Sequence, residues 1–457
     1  MEIPIITVYI TNYNYAKFIR RSIESVLHQT IQNFELFIID DGSTDGSKRI
    51  IEEYSNNSKI KIIYQNNKGL NITNNIALRA AKGKYIMRLD ADDYLEQSAL
   101  EVMMSTLEKS NNTLGLVFPD YYLIDENDEK IGQVQRMDFR KEVKLLDQPA
   151  HGACTMIRRD YLLSLGGYNE SYTCQDGYEL WIKFITHYPV ANINIPLFSY
   201  RQHGNNLTSN EDRILETRSK IKDNYVDLKK LDIPKTVVVI PIREAFINGT
   251  NLALMKLGGI TLLEKLINTL KLAKRIDSIV ISSESKEIEQ FFSDNYLNVS
   301  SVYFVKRPSK FARINESLSD TLNLVLKDPE IEKKDFEALM TVSINYPNIS
   351  SEEIDDAINS MVIFDSDSLL SVRPDNSVYY QHDGTGLKAI LEQDKFTKLE
   401  REALYKGVGG IVISKISGFL KTSKMLNGKI GHIVISKTSS YSIEDKRDLS
   451  ILNYLNC

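Results

Sequence analysis

One stretch constrains this chain more than any other: Lys84-Tyr85-Ile86-Met87-Arg88-Leu89-Asp90-Ala91-Asp92-Asp93. It reads as a short apolar strand that runs directly into three carboxylates. Ahead of it, Asn74 to Lys82 is helix-compatible and stops at Gly83, a residue type that commonly caps a helix C-terminus. The unit is therefore helix, glycine stop, buried strand and acidic strand end. In open α/β sheets ligands gather outside the carboxyl ends of the strands, so these acids stand where a ligand would bind. Clustered carboxylates repel one another unless a cation or a set of donors holds them. Hard Asp oxygens suit Mg²⁺ or Mn²⁺, ions that bridge carboxylate and phosphate oxygens. Taken alone, the cluster fits equally well a loop that caps a helix from Tyr94 onward.

The flanking chain tips that balance. Ile5 to Ile10 is a continuous run rich in β-branched residues, as expected of a strand buried on both faces, and it ends in Thr11-Asn12-Tyr13-Asn14-Tyr15. A helix follows over Ala16 to His28, then a second strand, Phe34 to Ile39, ending in Asp40-Asp41-Gly42-Ser43-Thr44-Asp45-Gly46. Helix Ser47 to Tyr54 leads to a third strand, Lys59 to Tyr64, which ends in Gln65-Asn66-Asn67-Lys68-Gly69. This alternation predicts a mostly parallel sheet with helices on both faces, its polar strand ends sharing one rim. The rim is a nucleotide-sized site with acids placed for a cation. Alone, Tyr13 reads as a rim aromatic and Asp40 or Asp41 as a turn cap; on successive strand ends beside an acid cluster they read as a binding site.

The pieces ITNYNYAKFI, DDGSTD, QNNKG and LDADD, with QDGYELW and YRQHG further on, keep the order and spacing of a family 2 glycosyltransferase, and residues 1 to about 230 resemble that family and its GT-A fold. The resemblance implies that Thr11, Asn12, Tyr13, Asp41, Asn66, Gly69 and Asp90 contact the nucleotide, with Asp41 on the base edge. It makes Asp90 and Asp92 the DxD pair at ribose, diphosphate and metal, and His203 a further metal or diphosphate contact, with Mn²⁺ or Mg²⁺ as cofactor. Relatives often carry an Arg followed by Asn in the helix after the Gly-containing loop; here the pair is Asn74-Asn75.

Downstream, helix Leu95 to Leu107 and strand Leu114 to Phe118 lead to a charged segment, Asp120 to Lys141. It predicts a hairpin (Tyr121 to Ile124, a turn at Glu126 to Asp128, Lys130 to Val134) and then a loop, of the length usually tied to function. In the resembled family it lies near the acceptor, as does His151-Gly152-Ala153-Cys154. Asp176 sits just ahead of a helix from about Gly177, where a helix N-terminus favours negative charge. By its residues alone it is an N-cap. By resemblance it is the general base that deprotonates the acceptor hydroxyl, with Gln175 in place of the family's first acid and Glu179 helping to order the site. One base and no second nucleophile imply single displacement with inversion.

Ser209 to about Ile233 reads as a charged helix closing a first domain, 1–233, and the α/β pattern restarts at Thr236. Residues 234–457 resemble CMP-sialic acid synthetase and related cytidylyltransferases through VVVIPIR, IDSIVISSES, KRPSKFA, SSEEIDDAI and the tail GKIGHIVISKTSSYSIEDKRDL. The expectation is thus two α/β domains in tandem, a GT-A fold followed by a nucleotidyltransferase-like fold. The resemblance places Arg243, Asn251, Arg307 and Glu444 in the second site and implies a homodimer through this half. Its chemistry departs, however: Glu244 to Thr250 puts Phe246 and Ile247 where close phosphate approach needs glycine, and the two metal-binding aspartates fall on Ser442 and Glu444. A degenerate, non-catalytic domain is the expectation.

Composition narrows the class. With 42% hydrophobic and 26% charged residues the 457-residue chain is globular, and a net charge of −5 without basic runs argues against nucleic acid as partner. Cys154, Cys174 and Cys457 lack both disulfide parity and metal-ligand spacing. No signal peptide and no apolar run of about 18 residues is visible, so a cytoplasmic enzyme, at most at the inner membrane face, is expected; the resemblance implies a bacterial setting. The reading is a metal-dependent inverting glycosyltransferase that moves a sugar from a nucleoside-diphosphate donor, UDP by family habit, to a glycan or lipid-linked acceptor in polysaccharide assembly. The alternatives are a bifunctional enzyme whose second half makes a CMP-sugar, and a non-catalytic glycan-binding scaffold.

Overall fold

The unbroken apolar runs become strands covered on both faces. In the computed structural model, which describes residues 3–135, 152–203, 210–244, 246–247, 249–313, 316–375, 377, 379–382, 384–389 and 404–455, β1 (Ile6–Asn12), β2 (Phe34–Asp40), β3 (Ile60–Tyr64) and β4 (Tyr85–Asp90) pair in parallel in the order β3-β2-β1-β4. Val8, Ile10, Leu36, Ile38, Met87 and Leu89 fill one core, and Tyr9, Phe37, Ile39 and Ile86 fill the opposite one. Helices α1 (Ile19–Leu27), α2 (Ser47–Glu52) and α3 (Leu70–Ala80) make the crossovers.

Beyond β4 the sheet is mixed rather than parallel. β5 (Tyr94–Leu95), β6 (Leu116–Ile124), β7 (Lys130–Val134), β8 (Met156–Arg158) and β9 (Val190–Arg201) extend it in the order β4-β8-β6-β9-β5, with β7 on β6. The expected hairpin over 121–134 is β6 and β7; a turn this short can join only antiparallel strands. Helices α4 (Ala99–Lys109), α5 (Arg159–Ser164), α6 (Asp176–Ile185) and α7 (Glu211–Lys229) complete the series. By contact the chain divides into two units, Met1–Arg218 with Asn376–Glu402, and Ser219–Asp375 with Ala403–Cys457.

Three local expectations change. Gly83 is not a helix cap: α3 ends at Ala80, its C-cap Ala81 is extended, and a Cβ on Gly83 would lie 2.5 Å from the Thr7 nitrogen. Glycine is needed there because the chain entering β4 touches the backbone of β1. No helix starts at Tyr94, because Tyr94–Leu95 pairs with β9 and the helix begins at Ala99. Asp176 is the first helical residue rather than the cap; Gln175 is the cap, in the left-handed region at φ 61°.

The second unit has its own seven-stranded sheet, in the order Val302–Lys306, Ser278–Ser283, Thr236–Ile242, Ala338–Val342, Leu404–Lys415, Ser368–Asp375, Ile430–Val434. All neighbours are parallel except those of Leu404–Lys415. The Gly258-Gly259 turn, with both φ positive (62° and 91°), joins the short strands Lys256–Leu257 and Ile260–Thr261, and Thr261 caps the next helix by accepting from the Glu264 N–H at 3.1 Å. Ser350 and Glu353 form the reciprocal capping box at the start of Ser351–Ile363.

Candidate active site

The register of β1 against β2 and β4 sets Asn12 beside Asp40 and Thr11 beside Asp90, so the expected rim forms. The three acids after β4 take three different environments. Asp90 is the most open, 27% exposed against 10% for Asp92, and its Oδ1 lies 3.0 Å from Arg88 Nε and 3.4 Å from the Thr11 hydroxyl. Asp92 Oδ2 lies 2.9 Å from His203 Nε2, whose ring stacks on Phe18 and leans on Tyr15. Burial and the neighbouring Asp90 charge push the Asp92 carboxyl above its ordinary range, against the pull of His203. Asp93 is fully enclosed: its Oδ1 accepts the Arg201 N–H at 2.9 Å, and burial with the Asp92 and Asp90 charges raises it well above its ordinary value. Arg201 reaches on to the Asp92 carbonyl at 2.8 Å, the Asp125 carbonyl at 2.6 Å and Asp128, tying the β6–β7 turn to the acids.

A divalent ion fits this donor chemistry. Asp90 and Asp92 offer hard oxygens, and the upward pull on Asp92 is the strain a cation would relieve. Among the described residues no group of three or more His, Cys, Asp or Glu side chains is set to hold an ion. Two carboxylates with an imidazole nearby match the way Mg²⁺ is held, by one or two carboxylates completed by substrate phosphates.

Asp176 lies across the same rim, and sequence reasoning missed how it is held. Its Oδ2 pairs with Arg88 Nη1 and accepts from Asn74 Nδ2 at 3.2 Å. Arg88, inside the apolar strand, is buried and spans Asp176 and Asp90; burial opposes its charge, but those two carboxylates outweigh this and hold it charged. The signal was present, since a buried arginine is almost never unpaired. Gly152 makes room: a Cβ there would stand 2.8 Å from Arg88 Nη2 and 3.5 Å from Asp176 Oδ2. Asn71 and Asn75 share a face of α3 with Asn74. Asn71 donates to the Asn169 and Tyr172 carbonyls, and Asn75 both donates to the Tyr168 carbonyl and accepts its N–H. The Asn-Asn pair in place of Arg-Asn thus positions the turn leading to Asp176, and the cation comes from β4. Glu179 pairs with Lys183 at 2.5 Å, and burial raises its carboxyl.

The expected nucleoside residues separate. Tyr13 is exposed on the rim and Thr11 is half-buried beside Asp90. Asn12 turns inward: it is 1% exposed and donates to Asp40 at 2.7 Å and Ser43 at 3.0 Å. Asp41 accepts from Gln65 Nε2 (2.7 Å) and from the N–H groups of Lys68 (2.8 Å) and Gly69 (2.9 Å), so it shapes the loop that carries Asn66. Gly69, at φ 88°, is the cap of α3. His151, Gly204, Asn205 and Asn206 lie outside the described residues.

The residues expected of a second site are largely committed elsewhere. Arg307 is buried and spends its guanidinium on Glu284 (2.8 Å), the Ile242 carbonyl (2.6 Å) and Thr321 (3.4 Å). Asn251 is buried and caps Leu252–Leu254 through the Ala253 N–H. Glu444 is exposed, and its N–H, like that of Asp445, is accepted by Asp448 ahead of the last helix. Arg243 stays half-buried after its strand. Phe246–Ile247 pairs with Thr250–Asn251 as a hairpin.

The parallel strands β1 to β4 thus bring acids, an amide-rich loop and, through Arg88, a helix-borne carboxylate together. Residues 7–166 match the family model of glycosyl transferase family 2. An uncharacterized glycosyltransferase of Haemophilus influenzae is 31% identical over 256 residues, 51% of this chain and 78% of that protein. The chain belongs to glycosyl transferase family 2, and its first unit has a GT-A-like fold. The chondroitin synthase of Escherichia coli is 32% identical over 236 residues and that of Pasteurella multocida 26% over 338 residues; this chain spans 34% and 35% of their lengths. Among solved structures, residues 1–349 of S. aureus TarS in complex with UDP-GlcNAc align at 20% identity and a TM-score of 0.42, over 49% of this chain and 66% of that one. No helix among the described residues is long and apolar enough to cross a membrane.

Proposed function

We propose that the first unit is a metal-dependent, inverting glycosyltransferase that moves a sugar from a nucleoside-diphosphate donor, UDP in the first instance, to a glycan acceptor. The observation that carries this reading is one arginine, Arg88, touching both Asp90 at the donor side and Asp176 at the acceptor side. Asp90 and Asp92, with His203, would hold Mg²⁺ or Mn²⁺, which when bound offsets the negative charge growing on the leaving diphosphate. Asp176, held through Oδ2, takes the acceptor hydroxyl proton on Oδ1 as the acceptor oxygen bonds to the anomeric carbon from the side opposite the diphosphate, which leaves with the bond electrons. General-base assistance of this kind contributes about 10²–10⁴ in rate. Tyr13 and the 65–69 loop, shaped by Asp41, would line the nucleoside. The polymer-forming names of the chondroitin synthase relatives favour a polysaccharide acceptor.

The second unit is a nucleotidyltransferase-like domain without nucleotidyl transfer: its phosphate-facing cation, Arg307, is occupied by Glu284, and a hairpin bearing exposed Phe246 replaces the glycine loop. The test is a donor screen. The full chain with Mn²⁺ should release nucleoside diphosphate from one of UDP-N-acetylglucosamine, UDP-N-acetylgalactosamine, UDP-glucose, UDP-glucuronate and GDP-mannose, and should release no pyrophosphate from CTP with sugar acids. Silence across the donors would refute the first claim, and pyrophosphate the second.

A further inference from the structure

Among the described residues Arg88 joins the two halves of the proposed chemistry through its ion pairs with Asp90 and Asp176. Its side chain is 6% exposed; Nε lies 3.0 Å from Asp90 Oδ1, and Nη1 pairs with Asp176 Oδ2. The space beside Nη2 is kept by Gly152, where a side chain would stand 2.8 Å away. Asn74 Nδ2 supplies the second donor to Oδ2 at 3.2 Å, while Asp176 Oδ1 has no hydrogen-bond partner among the described residues. The carboxylate is therefore clamped through one oxygen with the other left for a substrate. Resting on the glycosyltransferase reading above, we propose that Arg88 is a positioning residue: it aims Asp176 Oδ1 at the acceptor hydroxyl and sets its distance from the donor held at Asp90.

A planar fork suits this task in a way an ammonium does not. One guanidinium hydrogen-bonds Asp176 through Nη1 and keeps its charge beside Asp90 at Nε, whereas a lysine is a point charge that can satisfy only one of them closely. The helical start of α6 adds to the hold on Asp176, since its backbone dipole also favours negative charge there. Arg88 itself touches no reacting atom in this arrangement, so its removal should act through Asp176.

A double-mutant cycle in the full-length protein tests this, using Arg88→Gln, Arg88→Lys, Asp176→Asn and the combinations. The readouts are release of nucleoside diphosphate from the fastest donor of the panel above, and calorimetric titration with UDP and Mn²⁺. Arg88→Gln should lower kcat about 10²-fold, the scale of a misplaced catalytic group, while the donor KM and the UDP dissociation constant move less than about threefold. Arg88→Lys should recover only part of kcat, and adding Arg88→Gln to Asp176→Asn should cost nothing further. Losses that multiply in the double variant, or a kcat within about twofold of the unaltered protein in a folded Arg88→Gln, overturn the assignment. If Arg88→Gln does not fold, Arg88→Lys carries the same cycle. An unaltered protein inert toward every donor overturns the functional reading instead, and active protein with multiplicative losses overturns this inference alone.

Discussion

Replacing Asp176 by Asn probes the site while changing almost no volume. The substitution removes the negative charge opposite Arg88 but leaves an amide oxygen able to accept from Asn74 Nδ2. Breaking a buried ion pair costs about 3–5 kcal/mol when the surviving charge is left alone. Here Arg88 keeps Asp90 at 3.0 Å, so the guanidinium is not orphaned. The expected loss of stability is nearer that of a charge-assisted hydrogen bond, about 1.5–3 kcal/mol. The effect on chemistry is larger: without a proton acceptor, transfer should fall about 10²–10⁴-fold, or about 2.7–5.5 kcal/mol of barrier. Because Asp176 is hydrogen-bonded to Arg88 and Asn74 rather than to Asp92 or the 65–69 loop, UDP with Mn²⁺ should bind as before. Nucleoside diphosphate release, calorimetric titration and thermal unfolding of the same preparation separate these quantities. Unchanged turnover would refute the assignment of the base, and loss of UDP binding in step with turnover would show that Asp176 serves the donor rather than the acceptor.

Other consequences can be checked directly. Asp92→Asn should abolish the stabilisation given by UDP and Mn²⁺ together, about 2.7 kcal/mol at a ligand concentration 100 times its dissociation constant; a melting shift equal to that of the unaltered protein would contradict the donor set. Gly152→Ala should cut kcat by about 10²-fold with UDP affinity kept, because a methyl 2.8 Å from Arg88 Nη2 must displace the guanidinium; unchanged kcat would place the chemistry elsewhere. On β2, burial pushes the Glu35 carboxyl up, but Lys61 at 2.7 Å, the Lys82 N–H at 2.7 Å and the Thr7 hydroxyl at 2.8 Å outweigh it and leave it below its ordinary 4.5. A carboxyl lowered in the folded state stabilises above its unfolded value, and that contribution is lost as pH falls through the folded value. Glu35→Gln should therefore cost about 1–3 kcal/mol near pH 7, with the gap to the unaltered protein narrowing as pH falls below 4.5 and through the folded value; a gap independent of pH in urea unfolding would refute the ion pair.

The strand ends show how far one dimension carries the argument. β1 to β4, the acid cluster and the 121–134 hairpin were all legible, because each is set by near neighbours along the chain: an unbroken apolar run, a turn residue, a cap. Partners were not legible. Asp41 and Arg307 carry the residue types of ligand contacts, and the sequence did not show that the first also holds the 65–69 loop and the second pairs with Glu284, since a buried donor or acceptor is satisfied by whatever the fold brings near. Gly83 was read as punctuation, and it is a contact with Thr7 that no local pattern contains.

The order of residues alone thus determined that acids would crowd the carboxyl edge of a sheet, because periodic burial and strand polarity are properties of short segments. Only closure of the chain decided that Arg88 meets Asp176, a residue far along the sequence, and that Gly152 leaves them room. An ion pair depends on separation in space, and separation in space is fixed by the core that α3 and α6 share with Tyr9, Phe37 and Ile86 of the sheet rather than by any stretch that contains both partners.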